Sequence, residues 1–357
     1  MHNPVYVIGI DLGTTNSVVA YTQADTETGR PFDIRLFEIP QLIDAGVVEK
    51  RQMLPSFILI PGKHDVSETA LDLPWHQYCP LAVGEFAKTR GAELPNRLIA
   101  SSKSWLCHTT VDRNKPILPW EGPEATSKKS PVEASAAILQ HIRDAWNHAM
   151  AKDDDRLKME NQEILLTVPA SFDAVARELT VKAAEMSGMN HVTLLEEPQA
   201  AFYAWIQRTS DRWREMVDKG DLVLVCDVGG GTTDFSLIKI SEEQGELALE
   251  RIAVGEHLLV GGDNMDLALA RLVESRMLGN IEKRLDSLRW HILTSLCRRA
   301  KEAFRMLKPL GGTFCIGQPA AAGGKLKPLQ ESAMRRWLAD AVGRRPSVMV
   351  GLLPVSA

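Results

Sequence analysis

Two stretches of this chain combine residue types and spacing that could do chemistry. The first is Val7-Ile8-Gly9-Ile10-Asp11-Leu12-Gly13-Thr14-Thr15-Asn16-Ser17-Val18-Val19. The second is Cys226-Asp227-Val228-Gly229-Gly230-Gly231-Thr232-Thr233-Asp234-Phe235, with apolar runs on both sides. In each, an apolar run ends on Asp, a Gly/Thr turn follows, and a second apolar run leaves, which is the pattern of a hairpin. Glycine lets backbone amides approach an anion with no Cβ in the way. Successive N–H groups in such a turn form a concavity that holds phosphate oxygens. Thr14, Thr15, Thr232 and Thr233 add hydroxyl donors. Asp11 and Asp227 would repel a bare polyphosphate, so a hard cation is implied. Magnesium fits, held through oxygen ligands and its own waters. Either copy alone also reads as an ordinary hairpin with turn glycines. Two copies, each with its Asp, favour a clamp that grips a phosphate chain from both sides.

The elements that would carry these turns follow from pattern. Met53 to Ile60 reads as a strand, and Leu81 to Lys88 as a short strand running into a helix. Ser130, Pro131 and Glu133 form a helix start with a capping box. Val132, Ala136, Leu139, Ile142, Trp146 and Ala149 then recur at helical spacing. Ile164–Val168 reads as a buried strand stopped by Pro169. Asp173 caps the next helix and Gly188 ends it. His191 to Leu195 is a further strand, followed by Glu196-Glu197-Pro198 and a helix. Strand, helix, strand is a βαβ unit and points to an α/β fold. The second Asp hairpin, a strand at 247–254 and helices at 262–277 and 288–307 complete the reading. Asp153-Asp154-Asp155 reads as a solvated turn.

Bulk properties set limits. The 357 residues are 45% hydrophobic and 24% charged, with a formal net charge of −5, which gives no reason to expect nucleic acid or an acidic membrane surface as partner. The five cysteines lack a C-x-x-C pair and read as reduced, mostly buried thiols, which with the missing signal peptide leads us to expect a cytoplasmic protein. After about residue 306 the composition shifts. Seven basic side chains face only Glu331 and Asp340, among five prolines and Ala320-Ala321-Ala322-Gly323-Gly324.

The two turns resemble the first and second phosphate motifs of the DnaK-type heat-shock chaperone (heat shock protein 70) family, within the actin-like ATPases. The resemblance covers roughly residues 5 to 305 and is strong at the motifs. It implies an α/β, actin-like ATPase fold: two related lobes, each with a mixed sheet and flanking helices, and a nucleotide cleft between them. The first lobe would span 1–207, with an insert subdomain at about 41–129. The second would span 208–306 and be incomplete, and 307–357 would be an atypical basic Gly/Pro/Ala-rich tail.

The resemblance also implies roles. ATP or ADP would be held by Asp11, Gly13, Thr14, Thr15, Asn16, Gly229, Gly230, Gly231, Thr232, Thr233, Gly261, Gly262 and Lys301. Magnesium would be held by Asp11 and Asp227 through water. Lys88, in Gly84-Glu85-Phe86-Ala87-Lys88, resembles the lysine that reaches the γ-phosphate. Glu197, in Glu197-Pro198-Gln199-Ala200-Ala201, would lie near the attacking water; Gln199 replaces the usual threonine. Lys88, Glu197, Asp227 and Thr232 are thus the catalytic candidates, with carboxylates ranked Asp227, Glu197, Asp11. Pro169 and Arg177 would relay nucleotide state. Taken locally, Lys88 is a solvated helix lysine, Pro169 a strand stop and Glu197 a helix N-terminal acid that favours the dipole.

Departures qualify the match. On the helix that would contact adenosine, Lys301 matches, but Arg298 stands for an acid, Glu302 for a base and Arg305 for a small hydroxyl residue. The final Gly-rich turn of the family has only a faint echo in Val348-Met349-Val350-Gly351-Leu352-Leu353-Pro354, so the module looks C-terminally truncated, with apolar surface left uncovered. The leading expectation is an ATP-binding, ATP-hydrolysing chaperone module coupling nucleotide state to lobe closure, with co-chaperones or client proteins as partners. A non-hydrolysing decayed nucleotide-binding protein, a small-molecule kinase of the same fold and an actin-like filament protein are the alternatives.

Overall fold

The computed structural model describes residues 4–307, except 25–32, 68, 109, 121, 123–126, 210–211, 244–245, 257 and 280–282, together with 350–352. Two sheets are built on one plan. In the first, Tyr6–Leu12 pairs antiparallel with Asn16–Gln23 and parallel with Glu163–Val168, and Val192–Glu196 lies parallel beyond. In the second, Leu222–Val228 pairs antiparallel with Thr233–Glu243, which pairs with Glu246–Val254. Val350–Leu352 runs parallel to Leu224–Cys226, the place that Glu163–Val168 takes in the first sheet. Part of the segment that composition sets apart therefore joins the second sheet. Residues 308–349 and 353–357 lie outside the described residues, as does the side chain of Arg305.

Strand alternation builds the first core. Ile8, Ile10 and Leu12 are buried on one face of their strand, and Ile164, Leu166 and Val168 on one face of theirs. They meet Ile138, Leu139 and Ile142 of the Pro131–Trp146 helix and Leu179 and Ala183 of the Ala174–Met186 helix. Each such aliphatic contributes about 1.5–3 kcal/mol relative to exposure. Trp146 is fully buried, edge-on to Tyr6 and Tyr21, and its indole N–H donates to the Leu157 carbonyl at 2.9 Å.

Local signals set the helix starts. The Ser130 hydroxyl accepts from the Glu133 N–H at 3.1 Å, and the Glu133 carboxylate accepts from the Ser130 N–H at 2.7 Å. Asp173 accepts from the Ala176 N–H at 2.6 Å, and the helix it caps gives way to Gly188 at φ 88°.

The stretch 53–60 differs from expectation. Leu54–Pro55 pairs with Asn16–Ser17, whereas Ile58–Leu59 joins a small sheet with Ala82–Val83 and Leu98–Ile99. Pro55 has no N–H to continue a ladder, and the Ser56 N–H turns to the Thr15 carbonyl at 2.8 Å. Two elements carry no sequence periodicity: the hairpin of Ile39–Asp44 with Val47–Arg51, and the five-residue helix Ser102–Leu106.

Among the described residues, no helix is long and apolar enough to cross a membrane. Of the described cysteines, Cys79, Cys107 and Cys226 are partly exposed and Cys297 is buried, so the expected burial holds for one of the four. Leu259, Val260, Met265, Met277, Leu288 and Leu296 are exposed.

Candidate functional site

Parallel strands end at the same sheet edge, so their last residues and the turns after them converge. Register sets Leu166 beside Ile10 and Val168 beside Glu196. Asp11, Thr167 and Glu197 therefore gather at one edge of the first sheet. Asp227 arrives from the matching edge of the second. The Thr167 hydroxyl donates to Asp11 Oδ1 at 2.9 Å. Glu197 and Asp227 lie close enough to influence each other's ionisation. Lys103, on the Ser102–Leu106 helix, forms an ion pair with Glu197, and their side chains are 9% and 14% exposed.

This cluster holds three carboxylates against one ammonium. Burial pushes the Glu197 carboxyl up to about 8, with Asp11 and Asp227 adding to the rise and Lys103 opposing it. Burial also raises Asp227, again against Lys103. Burial alone would lower Lys103, but Glu197, Asp11 and Asp227 carry it above its ordinary value. The surplus of negative charge and the all-oxygen donor set suit a hard cation. Among the described residues no three side chains are placed to ligate a metal directly.

Above the carboxylates the two turns meet. A Cβ on Gly13 would overlap the Asn16 carbonyl, and one on Gly230 would overlap the Thr15 hydroxyl. A Cβ on Gly231 would lie 3.1 Å from Thr14 Cγ2 and 2.7 Å from Ser104 Oγ. Thr14, Thr15, Gly230 and Gly231 thus form one contact between the two sheets. Asn16 is buried behind it. The Gly229 N–H closes its own turn on the Thr232 carbonyl at 2.8 Å. Thr233 belongs to a different arrangement, because its hydroxyl donates to the Val260 carbonyl at 2.7 Å.

Gly261 and Gly262 lie beneath the second turn. The Gly262 and Asp263 N–H groups donate to the Gly229 and Gly230 carbonyls at 3.0 and 2.7 Å. A Cβ on Gly261 would stand 2.6 Å from both carbonyls. Lys301 Nζ donates to the Gly262 carbonyl at 2.8 Å and pairs with the buried Asp266 at 2.7 Å. Arg298 pairs with Asp263 and Asp266, each at 2.9 Å, and its guanidinium lies 5.5 Å from the Phe57 ring.

Lys88 lies apart from the carboxylates. Its ammonium pairs with Glu302 at 2.9 Å. The lysine brought to the carboxylates is Lys103, which stands in Ser101-Ser102-Lys103-Ser104 with no motif to mark it. Thr167, one residue before the strand ends, also escapes sequence reading. So does Glu196. Arg177 donates to Glu196 at 2.9 Å and to the Ala170 carbonyl at 3.2 Å, in the loop after Pro169. Glu196 also pairs with Arg251 of the second sheet. A chain of contacts therefore runs from the Pro169 loop across to Glu246–Val254.

Comparison with known proteins agrees with this architecture. The family model described as Hsp70 protein matches residues 83–308. A Chaperone protein HscA homolog from Haemophilus influenzae (strain 86-028NP) is 30% identical over 277 residues, covering 75% of this chain and 37% of that protein. A Chaperone protein HscA homolog from Acinetobacter baumannii (strain AYE) is 29% identical over 333 residues, covering 89% and 46%. Chaperone protein HscA from Enterobacter sp. (strain 638) is 29% identical over 282 residues, covering 77% and 38%. The chain spans less than half the length of these curated relatives. With a family model matching well over half of its length, the chain belongs to the Hsp70 protein family, and its paired sheets are that family's actin-like ATPase fold.

Proposed function

We propose that this chain is the nucleotide-binding and ATP-hydrolysing module of a chaperone. The observation that carries the proposal is the meeting of two Asp-Gly-Thr hairpins from separate sheets, Gly230 against Thr15, directly over Lys103, Asp11, Glu197 and Asp227. The turn amides and the hydroxyls of Thr14, Thr15 and Thr232 bind the phosphates. Asp11 and Asp227 are the residues that would hold a magnesium ion, which when bound would supply positive charge to offset the phosphates. Lys103 stabilises the charge that develops on the terminal phosphoryl group. Glu197 orients the attacking water. Lys301 and the helix around it face the adenosine.

Because the turns touch, a phosphate chain must part them, so nucleotide state alters the angle between the lobes. Glu196, holding Arg177 from one lobe and Arg251 from the other, transmits that change. The output passes to a client or co-chaperone, as the name of the relatives implies.

The test is calorimetry with ATP and magnesium on the intact chain and on Asp227→Ala, followed by phosphate release. Micromolar or tighter binding, lost in the variant, supports the clamp. Absence of binding by a folded intact chain refutes it. Binding without phosphate release leaves a nucleotide-binding protein and removes the ATPase.

A further inference from the structure

Within the clamp, one polar atom has nothing to do. Ser104 Oγ is buried and, among the described residues, has no hydrogen-bond partner. It follows Lys103 on the same short helix, and it points at the second turn, 2.7 Å from where a Cβ on Gly231 would stand. Thr14 Cγ2 approaches the same position from the first turn, at 3.1 Å. A buried hydroxyl without a partner loses its hydration and gains nothing in return. Such groups in native proteins ask for an explanation, and a ligand oxygen is one.

We infer that Ser104 is a further phosphate ligand, whose hydroxyl donates to an oxygen of the terminal phosphoryl group of a nucleoside triphosphate. This rests on the clamp reading given above and deepens it. Position selects the terminal group. Along the second turn, Gly230 neighbours Gly262, which holds Lys301 on the adenosine side. Gly231 instead neighbours Ser104, next to the lysine and carboxylates where the chemistry belongs. The hydroxyl also bridges the lobes: it comes from the first and ends against the second. A triphosphate satisfies it, and a diphosphate leaves it bare, so Ser104 makes this site read the third phosphate.

The experiment is calorimetry of wild type, Ser104→Ala and Ser104→Thr with magnesium and either ADP or a non-hydrolysable ATP analogue. Thermal melting without nucleotide runs alongside. A hydrogen bond to a charged group corresponds to about tenfold or more in affinity. Ser104→Ala is therefore expected to bind the triphosphate about tenfold more weakly while binding ADP as wild type does. Ser104→Thr, which keeps the hydroxyl, restores triphosphate affinity. The nucleotide-free melting temperature of Ser104→Ala stays level or rises, because an unpaired buried hydroxyl has been removed. Equal loss for both nucleotides, no loss for either, or a lower melting temperature with unchanged affinity overturns the assignment. Wild type that binds neither nucleotide overturns the clamp reading itself, an outcome visible before any variant is made.

Discussion

Lys103→Met, set beside Lys88→Met, separates two lysines that sequence alone does not. Lys103 is nearly buried and faces Glu197, with Asp11 and Asp227 close enough to raise its pKa. Breaking a buried ion pair ordinarily costs about 3–5 kcal/mol, because one charge is left uncompensated. Here the cost at neutral pH is smaller. Glu197, already pushed up to about 8, holds a proton at pH 7 and moves further toward the neutral form when the ammonium goes. Lys103→Met should therefore melt close to wild type at pH 6 and lose stability progressively above pH 8, where Glu197 must ionise without a partner. Turnover has no such refuge, because charge developing on the phosphoryl group is not relieved by a proton on Glu197. Losing one preorganised electrostatic group costs about 10²–10³ in rate, or about 2.7–4 kcal/mol. Single-turnover phosphate release at pH 7 is the assay. Lys88→Met removes only the partly exposed pair with Glu302, about 1 kcal/mol of stability, and should leave the rate near that of wild type. A Lys103→Met protein at wild-type rate, beside a Lys88→Met protein that has lost it, would refute this reasoning and return the phosphoryl role to Lys88.

Three further outcomes follow from the same geometry. Glu197 binds a proton in the folded chain up to about 8 but only to about 4.5 when unfolded, so the folded state holds the extra proton between these values. Nucleotide-free stability should then fall as pH rises from about 4.5 to 8, and melting curves of Glu197→Gln should lose most of that slope. Gly230→Ala drives a methyl into the Thr15 hydroxyl. It should abolish high-affinity nucleotide binding in calorimetry, while Gly220→Ala, strained in its own backbone at φ 98° but with no described atom within 4 Å of the added Cβ, should still bind. Glu196→Ala removes the carboxylate that joins Arg177 to Arg251. With Arg251 nearly half exposed, the stability loss is about 1 kcal/mol. Limited proteolysis should no longer differ between ATP and ADP, although both still bind; a preserved difference would remove Glu196 from the coupling.

The fold was legible where residues repeat a short-range pattern. Ile8, Ile10 and Leu12 alternate, and Ser130 with Glu133 caps a helix through contacts three residues apart, so sequence carries those elements directly. The turns were legible because glycine is required wherever backbone meets backbone or a facing hydroxyl, as at Gly13 and Gly230. Lys103 was not legible. Its helix is five residues long, too short for a periodicity, and its partner Glu197 is 94 residues away. Lys88 had the better local context, but its ammonium pairs with Glu302. Thr167 and Glu196 were hidden for a related reason: each acts across a strand pairing or between sheets, and nothing adjacent in sequence records that.

The same distinction changes the meaning of the departures on the 287–307 helix. Read one position at a time, Arg298 in place of an acid and Glu302 in place of a base look like damage to a purine site. In three dimensions both charges are matched. Arg298 reaches Asp263 and the fully buried Asp266, and Glu302 reaches Lys88 across the interface between the two halves of the molecule. The fully buried Asp266 is paired with two cations, Arg298 and Lys301. Ser101 adds a hydroxyl to Asp263 at 3.0 Å from the opposite side. A decaying site would leave reversed charges unpaired, because nothing selects their partners. Here each reversed charge has a partner on another element: Arg298 on the 262–278 helix and Glu302 on the 85–91 helix of the other half. On the proposed reading, a nucleotide that parts the turns works against the Lys88–Glu302 contact.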